Sequence, residues 1–398
     1  MLNATAGKTL PTTIIGSLPR PSWYTENLGN RSFLNAMVDI AFREQYEDAL
    51  AVFLRDQEVA GLDIVTDGDC RFDHDVGGQS WTRYVPQHMD GFERSRPELA
   101  PTGGGGIRFP RGHILHDYLE ARVMPKVVGP IGPGELQYAE IWKAAQRLTH
   151  KPVKFGTVTP ELVAVALQDD YYPDVPSRIM ALSEALNQEL NRVADAGCPA
   201  IQMEEPQIHM LAGQARNMAN PALNADFMLD VFNNTVKGLT AKTEVWCHTC
   251  WGNPSAQRMF ERIPSYLPGL ELLNKVDADV ITFEMSSSGA AGTDELKAIG
   301  ETITEKKIAI GVIDHHTLQV ESPEEVAQIA RLALEQIPAE RLILSSDCGM
   351  GREGMSRRHA FYKIVALVLG ANIVRKELGL PEAPVLAADA SLSLIPSE

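Results

Sequence analysis

Residues 244–253 read EVWCHTCWGN, which places Cys247, His248 and Cys250 together at the end of an apolar run. Such a set can ligate a metal, form a disulfide or pack as small hydrophobic side chains. His248 and Cys250 stand two apart, so both project to one side of an extended segment, while Cys247 points the other way, toward a helix layer. Two ligands alone do not hold an ion, and the remainder must come from elsewhere in the chain. Glu284 in ADVITFEMS (278–286) and Cys348 in RLILSSDCG (341–349) are the candidates. One imidazole, two thiolates and a carboxylate form a tetrahedral set suited to Zn²⁺. Further along, KIAIGVIDHH (307–316) ends in Asp314, His315 and His316. His316, with Asp314 beside it, could give a proton to a leaving group. Plainer readings stand beside these: His248 and Cys250 packed in a core with Glu284 ion-paired, and His315–His316 a hydrogen-bonded pair at a strand end. A structural zinc site is less favoured, because its ligands usually come in closely spaced pairs, and these run from position 248 to 348.

Residues so far apart in sequence need a scaffold that gathers them. Short β-branched runs followed by turn residues occur at 12–17, 61–68, 123–129, 151–160, 198–206, 242–250, 278–286, 307–316 and 341–349. Amphipathic stretches separate most of them, such as SPEEVAQIARLALEQI (322–337), with a Ser N-cap signal and Glu in its first turn. Strand–helix alternation predicts an α/β fold, a (β/α)8 TIM-type barrel spanning residues 1–398 as a single domain. One strand candidate too many implies an insertion above the barrel mouth at 71–150, with 123–129 its doubtful strand. The glycine run 103–106 follows no strand and precedes no Lys-Ser/Thr, so it reads as a flexible lid or loop and not as a phosphate cradle. Most expected strands end in a residue that can bind or react: Ser17 and Arg20, Asp67 and Asp69, Glu204 and Glu205, His248 and Cys250, Glu284, Asp314 to His316, and Asp347 with Cys348. In a barrel of this kind the strand C-termini converge on one mouth, which is how a ligand set begun at 248 could be completed.

The composition, 44% apolar and 22% charged, is that of a globular protein. A net charge of −16 argues against nucleic acid or an anionic membrane as partner. No apolar stretch reaches the ~18–20 residues of a membrane span. The start, MLNATAGKTL, lacks an export signal, so a cytoplasmic location is expected, where the five cysteines stay reduced.

Taken together, TTIIGSLPR, DIVTDGD, AIQMEEP, CHTC, DVITFE, VIDHH and SSDCG, in this order, are specific. The chain resembles the catalytic domain of the cobalamin-independent methionine synthase family in its short, single-barrel form. The resemblance implies a zinc-dependent methyltransferase that makes methionine from homocysteine, with His248, Cys250, Glu284 and Cys348 as zinc ligands and His316 as proton donor. It also implies that Ile15, Gly16 and Ser17 hold the homocysteine carboxylate, and that Asp69 and Glu204 grip its amino group. Asp69 stands where the family typically has Glu, and Glu204 where it has Asp. On the donor side, Val163 replaces a Trp that faces the pterin, Lys126 and Val127 replace an Arg-Cys pair, and Met210 replaces an acid. The methyl donor is then methylcobalamin, or a corrinoid protein, or methyltetrahydrofolate. Two other readings remain: alkyl transfer to another thiol, as in an epoxide–coenzyme M transferase with Arg20 meeting a sulfonate, and a non-catalytic corrinoid-partner module.

Overall fold

Strands apolar on both faces and joined through amphipathic helices require a sheet covered on both sides. In the computed structural model, which describes residues 3–29, 31–72, 83–93, 125–164, 167–213, 220–251, 265–287, 292–351 and 354–392, the strands are β1 (Val65–Thr66), β2 (Asp90–Glu93), β3 (Lys126–Gly132), β4 (Val153–Val158), β5 (Gln168–Asp169), β6 (Ala200–Glu204), β7 (Glu244–His248), β8 (Val280–Phe283), β9 (Lys307–Ile313) and β10 (Leu342–Ser346). Among the described residues, seven form one curled parallel sheet in the order β1-β4-β6-β7-β8-β9-β10. β2, β3 and β5 form a separate three-stranded sheet, so the strand expected at 123–129 lies outside the main one. The glycine run 103–106 and residues 73–82 and 94–124 of the expected insertion lie outside the described residues. No described helix is long and apolar enough to cross a membrane.

The two faces of the sheet are buried differently. Ile64, Ala200, Trp246, Val280, Ala309 and Ile343 form a small inner cluster closed from below by Ala4. Glu244 stitches the chain start to this floor, its Oε2 accepting from the Asn3 and Thr5 amides at 3.1 and 3.0 Å. The outer face packs its alternate residues, Val245 and Cys247 among them, into the large core under the helices. One such helix, Pro323–Leu334, begins with the expected Ser322 cap, completed by Glu325 into a capping box.

Residues 12–17 form no regular strand. Thr12 makes one parallel bridge to Leu344, and Thr13 N donates to Leu344 O at 3.0 Å, while on the other side Ile64 N donates to Thr12 O at 3.1 Å. Where the backbone ladder lapses, hydroxyls replace it: Ser346 Oγ accepts from Ile15 N at 3.1 Å, and Thr66 Oγ1 donates to Gly16 O at 3.0 Å. Side-chain partners satisfy the backbone without continuing a strand, which is why the β-branched run is not one.

Candidate metal centre

Parallel pairing sets the site. Glu204 at the end of β6 is in register with His248 on β7, and His248 with Thr282 on β8. In-register residues on neighbouring strands share a face, so all three point inward. Ligand atoms of Glu204, His248, Cys250 and Cys348 lie within 4.8 Å of one another, and a second group, Glu284, His315 and Cys348, shares the Cys348 thiol. His248, Cys250 and Cys348 thus meet as expected. Glu284 reaches Cys348, but the acid grouped with the imidazole and both thiols is Glu204. Asp314, His315 and His316 make a third group, adjoining the second through His315.

The chemistry of these groups asks for a cation. His248 Nε2 is buried without a hydrogen bond, 3.5 Å from Glu204 Oε2, and Glu284 Oε2 is also buried without one. Burial, then Lys154 and His209, hold the His248 imidazole down at about 3, so it is neutral with a lone pair to offer. A hydrogen bond with Cys250, then burial, lift the Cys348 thiol well above its usual range. Burial also pushes Glu204 up to about 8 and Glu284 well above the carboxylate range. Acids and thiols crowded out of water resist ionising, and a bound cation reverses that preference. The donor set therefore fits a metal ion.

Cys247 faces the outer core and is absent from these groups. No disulfide joins the five cysteines. Glu205 also turns outward, its Oε1 accepting from the Gln207 and Ile208 amides at 3.1 Å to cap the helix Gln207–Gly213. Asp347 acts as a tie between strands. Its Oδ1 accepts from Met285 N at 2.8 Å, and Oδ2 accepts from Ser286 N at 3.0 Å and Ser287 Oγ at 2.5 Å. The tie crosses β9 at Gly311, where a Cβ would lie 1.8 Å from Asp347 Oδ1. Glu284 and Cys348, the neighbours of the tied residues, are held together by it.

Beside the metal groups lies a cluster of buried polar residues. Ser17 Oγ accepts from Gly351 N at 3.2 Å, which leaves its own hydrogen to donate. Asp69 has the left-handed φ of 54°, and a Cβ added at Gly16 would meet its Oδ2 at 3.5 Å. Asp69 is already faced by a cation, since buried Arg71 places Nη1 3.2 Å from Asp69 Oδ1 and 3.4 Å from Asp67 Oδ2. Gln202 links Glu204 to the Ile15–Ser17 segment, its Nε2 donating to Glu204 Oε1 at 2.6 Å and to Ile15 O at 2.9 Å. Gln202 Oε1 accepts from Lys154, whose ammonium burial pushes down to about 7. The sequence alone does not single out Arg71, Lys154 or Gln202; only Arg71, two residues after Asp69, stands near a candidate residue.

His316 is partly open, with 18% of its side chain exposed, while His315 is buried. Asp314 Oδ1 accepts from His316 N at 2.7 Å and lies 3.6 Å from Nδ1. Buried Lys363 holds this turn from behind, donating to Asp314 O at 3.0 Å and to Glu321 Oε1 at 2.9 Å. Arg20 does not present a free guanidinium. It donates to Asn27 Oδ1 at 3.1 Å and Glu26 O at 2.5 Å and lies over the Tyr24 ring, so part of the guanidinium is already engaged. Val163, Val127 and Met210 are buried, and Lys126 pairs with Asp170.

Residues 104–369 match the family model described as the cobalamin-independent synthase, catalytic domain. A methionine synthase of Saccharolobus solfataricus is 28% identical over 370 residues, covering 93% of this chain and 96% of that protein. A methionine synthase of Sulfurisphaera tokodaii is 26% identical, covering 93% and 94%. Among solved structures, a B12-independent methionine synthase from Shewanella sp. W3-18-1, in complex with selenomethionine, aligns with a TM-score of 0.71 at 26% identity over 93% of this chain and 99% of that one. A methyltransferase from Methanosarcina mazei, at 15% identity and a TM-score of 0.54, shares the fold. With two thirds of its length under the family model, this chain belongs to the cobalamin-independent synthase catalytic-domain family.

Proposed function

We propose that the chain is a zinc-dependent thiol S-methyltransferase forming methionine from homocysteine, built on a (β/α)8 barrel in which residues 11–17 take the eighth place between β10 and β1. The observation that carries the reading is the convergence of His248, Cys250 and Cys348, with His248 Nε2 buried and without a hydrogen bond. Family membership and the methionine synthases it resembles support it. Glu284, whose buried Oε2 lacks a hydrogen bond and which groups with Cys348, is taken as the fourth ligand, and Glu204, whose Oε2 lies 3.5 Å from His248 Nε2, is left for the substrate. When bound, Zn²⁺ would favour the thiolate form of a substrate thiol at neutral pH.

The chain's own residues do the remainder. Ile15, Gly16 and the Ser17 hydroxyl receive the substrate carboxylate. Asp69 and Glu204, close enough for the Asp69 charge to raise Glu204, take the ammonium between them. His316, with Asp314 Oδ1 3.6 Å from its Nδ1, supplies a proton to a departing group that needs one, such as the nitrogen of a reduced folate; a corrinoid departing as cobalt(I) keeps the electron pair of the broken bond and takes none.

The same reading assigns the donor as methylcobalamin, free or on a carrier protein. A pterin binds by stacking, and buried Val163 offers no aromatic face for it. The deciding experiment uses one zinc-loaded preparation with homocysteine and compares methylcobalamin with methyltetrahydrofolate at equal concentration. The corrinoid should give methionine faster. A faster folate reaction overturns the donor assignment, and no methionine from either overturns the function.

Asp69→Asn should raise KM for homocysteine about tenfold, since a charge-assisted hydrogen bond contributes ~1.5–3 kcal/mol. The same change should barely affect 4-mercaptobutyrate, which lacks the amine. Because Arg71 pairs with Asp69, equal losses with both thiols would instead mark Asp69 as structural.

A further inference from the structure

Thr282 sits beside His248 in the β7–β8 register, is buried, and places Oγ1 2.5 Å from His248 Nδ1. The other ring nitrogen, Nε2, makes no hydrogen bond and faces Glu204, Cys250 and Cys348. An imidazole can offer a lone pair at Nε2 only when its proton sits on Nδ1, and a buried Nδ1–H needs an acceptor. The Thr282 hydroxyl is in position to be that acceptor. We infer that Thr282 is a positioning residue: by accepting from Nδ1–H it holds His248 in the tautomer and ring orientation that present Nε2 to the metal. The inference rests on the metal reading given above.

Two details support it. Thr282 is itself fixed, because Thr249 N donates to its carbonyl oxygen at 3.3 Å and Thr249 Oγ1 donates to the same atom, which pins β8 against the end of β7. A hydroxyl is also the acceptor the pocket can tolerate. Glu204, Glu284, Cys250 and Cys348 already gather there, and another carboxylate on Nδ1 would add a further buried charge.

Thr282→Val keeps the β-branched shape and the backbone bonds but removes the acceptor, whereas Thr282→Ser keeps a hydroxyl. Zn²⁺ affinity of the full-length chain is measured by competition with a chromophoric chelator, alongside the visible spectrum of the Co²⁺-loaded protein. Loss of an outer partner of a ligating histidine should weaken Zn²⁺ binding about 10- to 100-fold in Thr282→Val and shift the Co²⁺ bands, with Thr282→Ser within about threefold of wild type. Thr282→Ala serves as a second hydroxyl-free variant, and must agree if valine disturbs folding. Wild-type affinity and spectrum in either hydroxyl-free variant overturn the role of Thr282 and leave the metal reading standing. A wild-type chain that binds neither Zn²⁺ nor Co²⁺ in this assay overturns the metal reading, and the inference with it.

Discussion

Cys348→Ala is expected to lose its metal on dialysis. Cys348 is the one residue common to the His248–Cys250–Glu204 group and the Glu284–His315 group, so its removal deprives both at once. Zinc held by four protein ligands binds with roughly 10–16 kcal/mol, or about 2.5–4 kcal/mol per ligand if evenly shared. Losing one ligand then weakens binding by about two to three orders of magnitude. Metal analysis after dialysis against a weak chelator checks this, and undiminished zinc in Cys348→Ala would refute the assignment. Cys247→Ser is the internal control: its thiol lies in the outer core, and metal content should be unchanged. A loss there equal to that of Cys250→Ser would mean that β7 has been read with the wrong face inward.

The second large effect is kinetic. With methyltetrahydrofolate as donor, His316→Asn should lower kcat about a hundredfold or more while leaving metal content intact, since a positioned general acid contributes ~10²–10⁴. Burial holds the His316 imidazole below its ordinary value of 6.5, and the Asp314 carboxylate opposes that shift. If the protonated ring carries the step, the rate is full below its pKa and falls as pH rises through it. That limb lies below pH 6.5. Asp314→Asn removes the carboxylate that favours the charged ring and should move the limb to still lower pH. A limb that stays in place shows that Asp314 only shapes the turn; a kcat unaffected by His316→Asn removes this histidine from the chemistry.

Some of this arrangement was legible in the sequence because it follows from local rules. The β-branched runs at β4, β6, β7, β8, β9 and β10 read as strands, and the period of two in EVWCHTC placed Cys247 apart from His248 and Cys250. What was not legible depends on pairing between strands. Nothing in AIQMEEP reveals that Glu204 will stand in register with His248, which is what brings it among the thiols. Thr282 reads as an ordinary β-branched strand residue, because its role comes from the neighbour on β7. The expected strand at 12–17 failed for a related reason: propensity measures a residue's fit to a pleated surface, and here the Ser346 and Thr66 hydroxyls supplanted the ladder. The amine-binding role assigned to Asp69 supposed an acid in need of a cation, and the sequence did not show that Arg71 already stands beside it.

The bonds of residues 15–17 also carry information about time. Ile15 N reaches Ser346 across 331 positions, and Gly351 N reaches Ser17 across 334. Contacts of such long range must offset a large loop-closure entropy and slow the folding of a domain that depends on them. During synthesis residues 12–17 leave the ribosome long before their partners 331 to 334 positions later, so this stretch has to wait until β10 and the turn after it have emerged. The part of the site proposed to hold the substrate's carboxylate is therefore made 331 to 334 positions ahead of the residues that complete it.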